Sequence, residues 1–363
     1  MTVRILTSVA ALSLLCAAAS AERICGARHY TGPDPIGGGP GYTRLVDPAK
    51  ARRVSTLEEL KAALAAAQAG DIIYLDDRAE IDATGSPMME IPGGVTLASG
   101  RGSGGSPGAL IRFRDYDCPG VFTTGGDGVR VTGLRMVGPD TEEHESAYEL
   151  PNSRGITIRH PRCEVDNCDI SGFSHAGVYL VNAGTGHRIH HNFLHHCRRR
   201  GLGYGVCLAS TQAYIVANRF LNNRHDIAGT GRAGTAYLAC SNISDITEGR
   251  ISHAFDMHGN HESRRPDEVV EPFAGDWVVI CHNTFYSYQP RMYTVIRGRP
   301  RQHVTIFANE YHNALHGARF SEPCDNAVIF GDCFIRPPAR EPYFFNVPGN
   351  RVDGKVQPAT AQQ

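Results

Sequence analysis

The sequence predicts an all-β solenoid, a stack of short-strand coils closed at its N-terminal end by one α-helix. Three observations predict it: a polar corner residue that returns mostly every 23 to 26 residues, apolar residues at alternate positions beside it, and a single amphipathic helix ahead of the repeats.

The corner pattern is an apolar residue followed three positions later by a polar one, usually Asn. It runs from Ile189 to Asn192, Ile215 to Asn218, Ile280 to Asn283 and Ile306 to Asn309, with looser copies at Val165 to Cys168, Ala239 to Asn242 and Ile329 to Asp332. Successive steps are 24, 26, 24, 41, 26 and 23 residues. One coil cannot bury its own apolar side chains, whereas stacked coils share a core in which like residues lie above like at about 4.8 Å. The corner Asn is expected to take left-handed backbone and to bond the next Asn in a ladder. The 41-residue step marks an insertion of roughly 15 residues near His258 to Gly275, expected to emerge as a loop on one face.

Ahead of the coils, Ser55-Thr56-Leu57-Glu58 reads as a capping box, followed by Leu57, Leu60, Ala63, Leu64 and Ala67 at helical spacing. The helix is expected to end by Gly70 and a strand to begin at Asp71. Such a helix covers the open apolar end of the first coil.

Residues 1–21 have the form of a secretory signal peptide: Arg4, an apolar stretch from Ile5 to Ala18, then Ala19-Ser20-Ala21. The stretch is shorter than the roughly 20 residues that span a bilayer. The organisation expected is therefore a signal peptide at 1–21, an extension at 22–54, coils at 55–340 and a tail at 341–363, in a secreted or periplasmic monomer. Eleven cysteines become ten once Cys16 leaves with the signal, an even number that permits disulfides in an oxidising compartment, Cys118 among them. Their scatter assigns no pairing. A net charge of −1 gives no electrostatic reason for a nucleic-acid or membrane partner.

The run Ser55 to Leu75, with Val131-Thr132-Gly133-Leu134-Arg135-Met136-Val137-Gly138 and the Asn-bearing coils, resembles the pectate-lyase-like right-handed parallel β-helix superfamily. The resemblance implies a single-stranded right-handed parallel β-helix and an association with polysaccharide lyases, epimerases and glycoside hydrolases. The calcium-binding acidic and Arg-centred motifs of pectate lyases, the three-aspartate pattern of polygalacturonases and the DPH motif of mannuronan epimerases are not evident, so no catalytic residue is carried over.

Aligning the coils on Val178, Val206, Ile227, Phe255 and Ala318 places Ala176, Tyr204, His225, His253 and His316 two positions earlier. Tyr204, His225 and His253 are then expected to stack on neighbouring coils. Alternation along Ser252 to Gly259 points Asp256 and His258 out of the core. Removal of a proton beside a uronate carboxylate needs a base, for which His225 or His253 qualifies because imidazole titrates near neutral pH. Arg224 is the candidate to neutralise the substrate carboxylate, Tyr204 or Tyr237 the candidate acid, and Asp256 a further catalytic group. Asp226, Tyr237, His258, Arg199 and Arg297 are candidate contacts to an acidic polysaccharide, as are Arg264 and Arg265. All but three of the 36 basic residues are arginine, which composition alone also explains. The rival readings are a glycoside hydrolase using Asp226 and Asp256, whose mechanism wants two carboxylates about 5–10 Å apart, and a non-catalytic glycan-binding adhesin. No cofactor is expected. The candidate ligands for a divalent cation are His253, Asp256 and His258, while His187, His190, His191, His195 and His196 split between strand faces and a corner.

Overall fold

The computed structural model describes residues 24–115, 119–140, 152–249, 253–260, 273–322, 324–335 and strand residues 351, 352, 355 and 356. The signal peptide expected at 1–21, Cys118, Ser252, Arg264, Arg265, most of the insertion and most of the tail lie outside them.

The coils stack as parallel β-strands on three faces, a parallel β-helix as expected. The first face runs from Met89–Ile91 to Ala314–Phe320, the second from Arg52–Val54 to Ala327–Phe330, the third from Glu80–Asp82 to Cys333–Ile335. Ala176–His190 and Tyr204–Val216 are long enough to bend from the first face into the second. Inside, like residues lie above like. On the first face Ile156, Val178, Val206, Ile227, Phe255, Thr294 and Ala318 are consecutive partners. On the third, Leu194, Phe220, Ser244, Phe285, Tyr311 and Phe334 follow one another, with Phe285 stacked on Tyr311 at 5.0 Å and Tyr311 on Phe334 at 4.9 Å.

Every expected corner falls between the second and third faces. Asn192, Asn218, Asn242, Asn283 and Asn309 form one ladder ending at Asp332, each amide oxygen accepting from the backbone N–H of the corner before it. The 41-residue step is a single coil, because Asn242 bonds directly to Asn283. One detail differs from expectation. The left-handed residue is the one before the ladder Asn: Asn167, His191, Ala217, Ser241, His282 and Ala308 all have φ between 53° and 56°. That residue turns the chain, which leaves the next side chain aimed inward along the stack.

The helix Leu57–Ala66 buries Leu60, Ala63 and Leu64 and packs against Arg52–Val54, Ile72–Leu75 and Met89–Ile91. Its capping box is one residue later than expected: Thr56 and Glu59 cap reciprocally, because the Ser55 hydroxyl is donated to Asp76 instead. Among the described residues no helix is long and apolar enough to cross a membrane.

The N-terminal extension lies along the Asn corner in the direction opposite to the coils. Cys25 is disulfide-bonded to Cys333 in the last coil, Gly26 donates to Ala308, Gly37 to Ala217, Gly39 to Asn167, and the Tyr42 hydroxyl to Asp166. Gly38 permits the close approach: at φ 65° a Cβ there would stand 2.3 Å from the His191 carbonyl oxygen.

Candidate functional site

The outward row of the first face reads Thr157, Tyr179, Cys207, Ala228, Asp256, Val295 and Arg319 on consecutive coils. A carboxylate thus replaces a small or apolar residue at one rung. Asp256 is 0 % exposed. His258 Nε2 lies 2.9 Å from its Oδ2, Arg297 3.0 Å from Oδ2, His253 Nε2 3.3 Å from Oδ1 and His225 Nε2 3.7 Å from Oδ2. Burial is the largest influence on the Asp256 carboxyl and pushes it towards the neutral form. Hydrogen bonds from His253 and His258, with the charges around it, outweigh burial and hold it well below the usual carboxylate range.

The expected column forms. Tyr204 pairs with His225 in the ladder, their rings parallel within 10° at 5.7 Å, and the His225 and His253 rings lie 4.1 Å apart. Both imidazoles are almost without solvent contact, at 0 % and 3 %. Burial lowers the pKa of each, that of His225 far below its ordinary value, assisted there by His253. His225 and His253 therefore support Asp256 from beneath, and neither touches the groove.

His258 does open on the groove, with its side chain 28 % exposed. Its backbone N–H donates to the Gly229 carbonyl at 2.8 Å, and Gly231 (φ 72°) packs so close that a Cβ there would meet the His258 oxygen at 2.0 Å. The Gly-rich coil thus lets the His258 backbone settle against it. The groove is lined by His175, Tyr179, Leu202, Tyr204, Thr230 and His258, from four successive coils, a length of about 14 Å at 4.8 Å per coil. Two cations flank it. Arg154 lies 4.5 Å over the Tyr179 ring and donates to His175 Nδ1 at 2.8 Å; Arg224 lies 6.0 Å over the Tyr204 ring and donates to the Leu202 carbonyl. Neither pairs with a carboxylate among the described residues, and burial lowers the pKa of Arg154. Burial, with Arg154, also brings His175 down to about 3, so that ring is neutral.

Three expected contacts lie elsewhere. Asp226 faces into the bore, where it accepts from Asn223 and from Ser244, a member of the inward row of the third face. Burial raises its pKa to about 7. Asp226 and Asp256 therefore lie on opposite sides of the strand wall and cannot flank one bond. The cause is a local irregularity: the N–H groups of Asp226 and Ile227 both donate to the Ala254 carbonyl, which breaks the alternation at that point. Tyr237 is fully buried in the core and reaches only the Asp256 backbone oxygen, at 3.5 Å, so it is no acid for a substrate. Arg199 is fully buried against Asp140, at 2.7 Å, and lines no groove. His316 is partnered with Met292 and stands two coils beyond Asp256.

His175, Tyr179 and Arg154 escaped the sequence reading because the column was indexed two residues before the core position. His175 stands three before it, in the turn. Of the histidine-rich stretch, His187 bonds the Ala183 carbonyl, while His190 and His195 bond Glu164 and Asp169. Glu164, Asp166 and His190 converge, but Arg44, Arg130 and Arg188 already neutralise the two carboxylates.

No family model matches the chain, and no curated protein does. Among solved structures the chain is similar to an Azotobacter vinelandii mannuronan C-5 epimerase AlgE6 A-module (12 % identity, 78 % of this chain and 83 % of that one, TM-score 0.30). It is also similar to pectate lyase Pel9A (11 % identity, 81 % of this chain and 72 % of that one, TM-score 0.33). The superpositions are too loose to transfer any residue's role to this chain.

Proposed function

We propose that the protein removes the C5 proton of a uronate residue in an anionic polysaccharide, leading to β-elimination or C5-epimerisation, with His258 moving the proton. The observation that carries this reading is His258 hydrogen-bonded to an ionised, fully buried Asp256 at the rim of a groove. A carboxylate only accepts, so Nε2 of His258 carries the proton and Nδ1 keeps the lone pair, the arrangement of a general base with its orienting acid. Arg154 and Arg224, which pair with no carboxylate among the described residues, suit a polymer that brings its own. A groove crossing four coils suits an extended chain better than a single small molecule.

In the reaction, the C5 proton passes to Nδ1 of His258 and the electron pair moves into the carboxylate-stabilised enolate. Elimination then expels the C4 oxygen, which takes a proton from the Tyr204 hydroxyl. Epimerisation instead returns a proton to the opposite face of C5. Incubation with a panel of uronate polymers tests the proposal: elimination yields the absorbance of a 4,5-unsaturated uronate, and epimerisation in D2O yields deuterium at C5. Both are lost in His258→Gln. Failure of the wild type to produce either signal from any polymer refutes it. Nothing in the geometry favours hydrolysis, since its carboxylate pair is divided by the strand wall.

A further inference from the structure

We propose that His225, His253 and Asp256 form a buried three-ligand site for a divalent transition-metal ion of the zinc class. One nitrogen of each ring and one carboxylate oxygen lie within 4.8 Å of one another, and all three side chains are buried. A tetrahedral ion bonded at about 2.0–2.1 Å holds its donors roughly 3.3 Å apart. His253 Nε2 lies 3.3 Å from Asp256 Oδ1 and His225 Nε2 3.7 Å from Oδ2, distances of the order that such an ion requires.

The second observation is the orientation of His225. Its Nδ1 lies 2.6 Å from the His253 carbonyl oxygen. A carbonyl can only accept, so Nδ1 carries the hydrogen and Nε2 points at Asp256. A protonated Nε2 would donate to the carboxylate at about 2.8 Å. At 3.7 Å from Oδ2 there is no hydrogen bond, and Nε2 of this fully buried ring has no hydrogen-bond partner. Two acceptors facing each other away from water is an unfavourable arrangement that a cation between them reverses. A backbone carbonyl fixing the tautomer of a ligating imidazole is also the usual support around such ions. The nitrogen-rich donor set selects against calcium and magnesium, which take oxygen ligands. His258 and Arg297 already bond Oδ2, which leaves Oδ1, the oxygen nearest His253, to serve as the carboxylate ligand.

The test uses the full chain, stripped with chelator and then dialysed against Zn2+, with bound metal measured by elemental analysis. Wild type is expected to hold one equivalent, and His225→Gln to lose at least about 100-fold in affinity, since even outer-shell partners are worth 10–100-fold. His258→Gln is expected to keep the metal while losing polymer turnover. No uptake by wild type, or uptake unchanged in a folded His225→Gln, overturns the site. Should His225→Gln not fold, Co2+ in the wild type decides: tetrahedral visible bands support the site and an octahedral, oxygen-only spectrum overturns it. The site stands apart from the proposed reaction. Polymer turnover by a chain that takes up no metal sinks only the metal, and metal in a chain that turns over no polymer sinks only the reaction.

Discussion

Replacing Asp256 by Asn keeps the shape of the side chain and removes its charge. The inward neighbours Phe255 and Met257 are untouched, so the coil should remain stacked. What is lost is the acceptor for His258 at 2.9 Å and Arg297 at 3.0 Å. Charge-assisted hydrogen bonds contribute about 1.5–3 kcal/mol each, but relief from burying a charge offsets part of that loss, so a net destabilisation of about 1–3 kcal/mol is expected. The effect on rate should be larger. An Asn amide can donate to Nε2, which moves the proton to Nδ1 and removes the lone pair that the reaction uses. The comparable exchange in a Ser-His-Asp triad costs about 10⁴ in kcat, so a fall of about 10²–10⁴-fold is expected here. Because Asp256 lies behind His258, the loss should fall on kcat with KM little changed. Initial rates on a polymer that the wild type converts, with a thermal melt run in parallel, measure both. A folded Asp256→Asn with wild-type kcat, or with a defect confined to KM, would refute the role assigned to the Asp256–His258 pair.

Two further outcomes follow from buried polar groups. Burial raises Asp226 to about 7, so the folded state holds a proton that the unfolded chain releases near the ordinary carboxyl value; this contribution to stability is complete in acid and disappears as pH rises through about 7. Asp226→Asn should therefore melt at least roughly 2 °C above wild type at pH 8 and gain nothing at pH 4, as followed by circular dichroism; an equal gain at both values would contradict the assignment. Asn242 accepts from Asn218 and donates to the Ile215 carbonyl and Asn283 inside the stack. Asn242→Ala strands those partners, and urea denaturation should show a loss of about 3–5 kcal/mol, from unmet buried groups costing about 1–3 kcal/mol each.

Much of the stack was legible because a solenoid repeats its constraints. Ile three residues before Asn marks the same corner on coil after coil, and parallel in-register pairing then fixes which residues are neighbours. The same rule could have placed Tyr237, which stands two before the corner residue Ala239 and so shares its inward phase. Asp226 was not legible, since the shared Ala254 acceptor that turns it inward is a feature of backbone hydrogen bonding with no sequence mark. Arg199 was hidden for a different reason: its partner Asp140 is 59 residues away, and nothing local announces a buried ion pair. The column from Tyr204 to His253 was legible as a register, but which of its members meets solvent was not. That depends on His258 and Arg297 folding over Asp256 from neighbouring segments.

The extension along the Asn corner sets an order of events. Residues 25–42 are made before their partners, which run from Asp166 to Cys333 in the last described coil. The coils must therefore stack without this strand, which can lie down only on a finished corner. A solenoid held by nearest-neighbour contacts frays from its ends. Here the last coil is tied by a cystine to the earliest-made part of the described chain, so peeling it away means pulling the strand off the corner or reducing the bond. Assembly runs in one direction, and the closing step makes it hard to reverse.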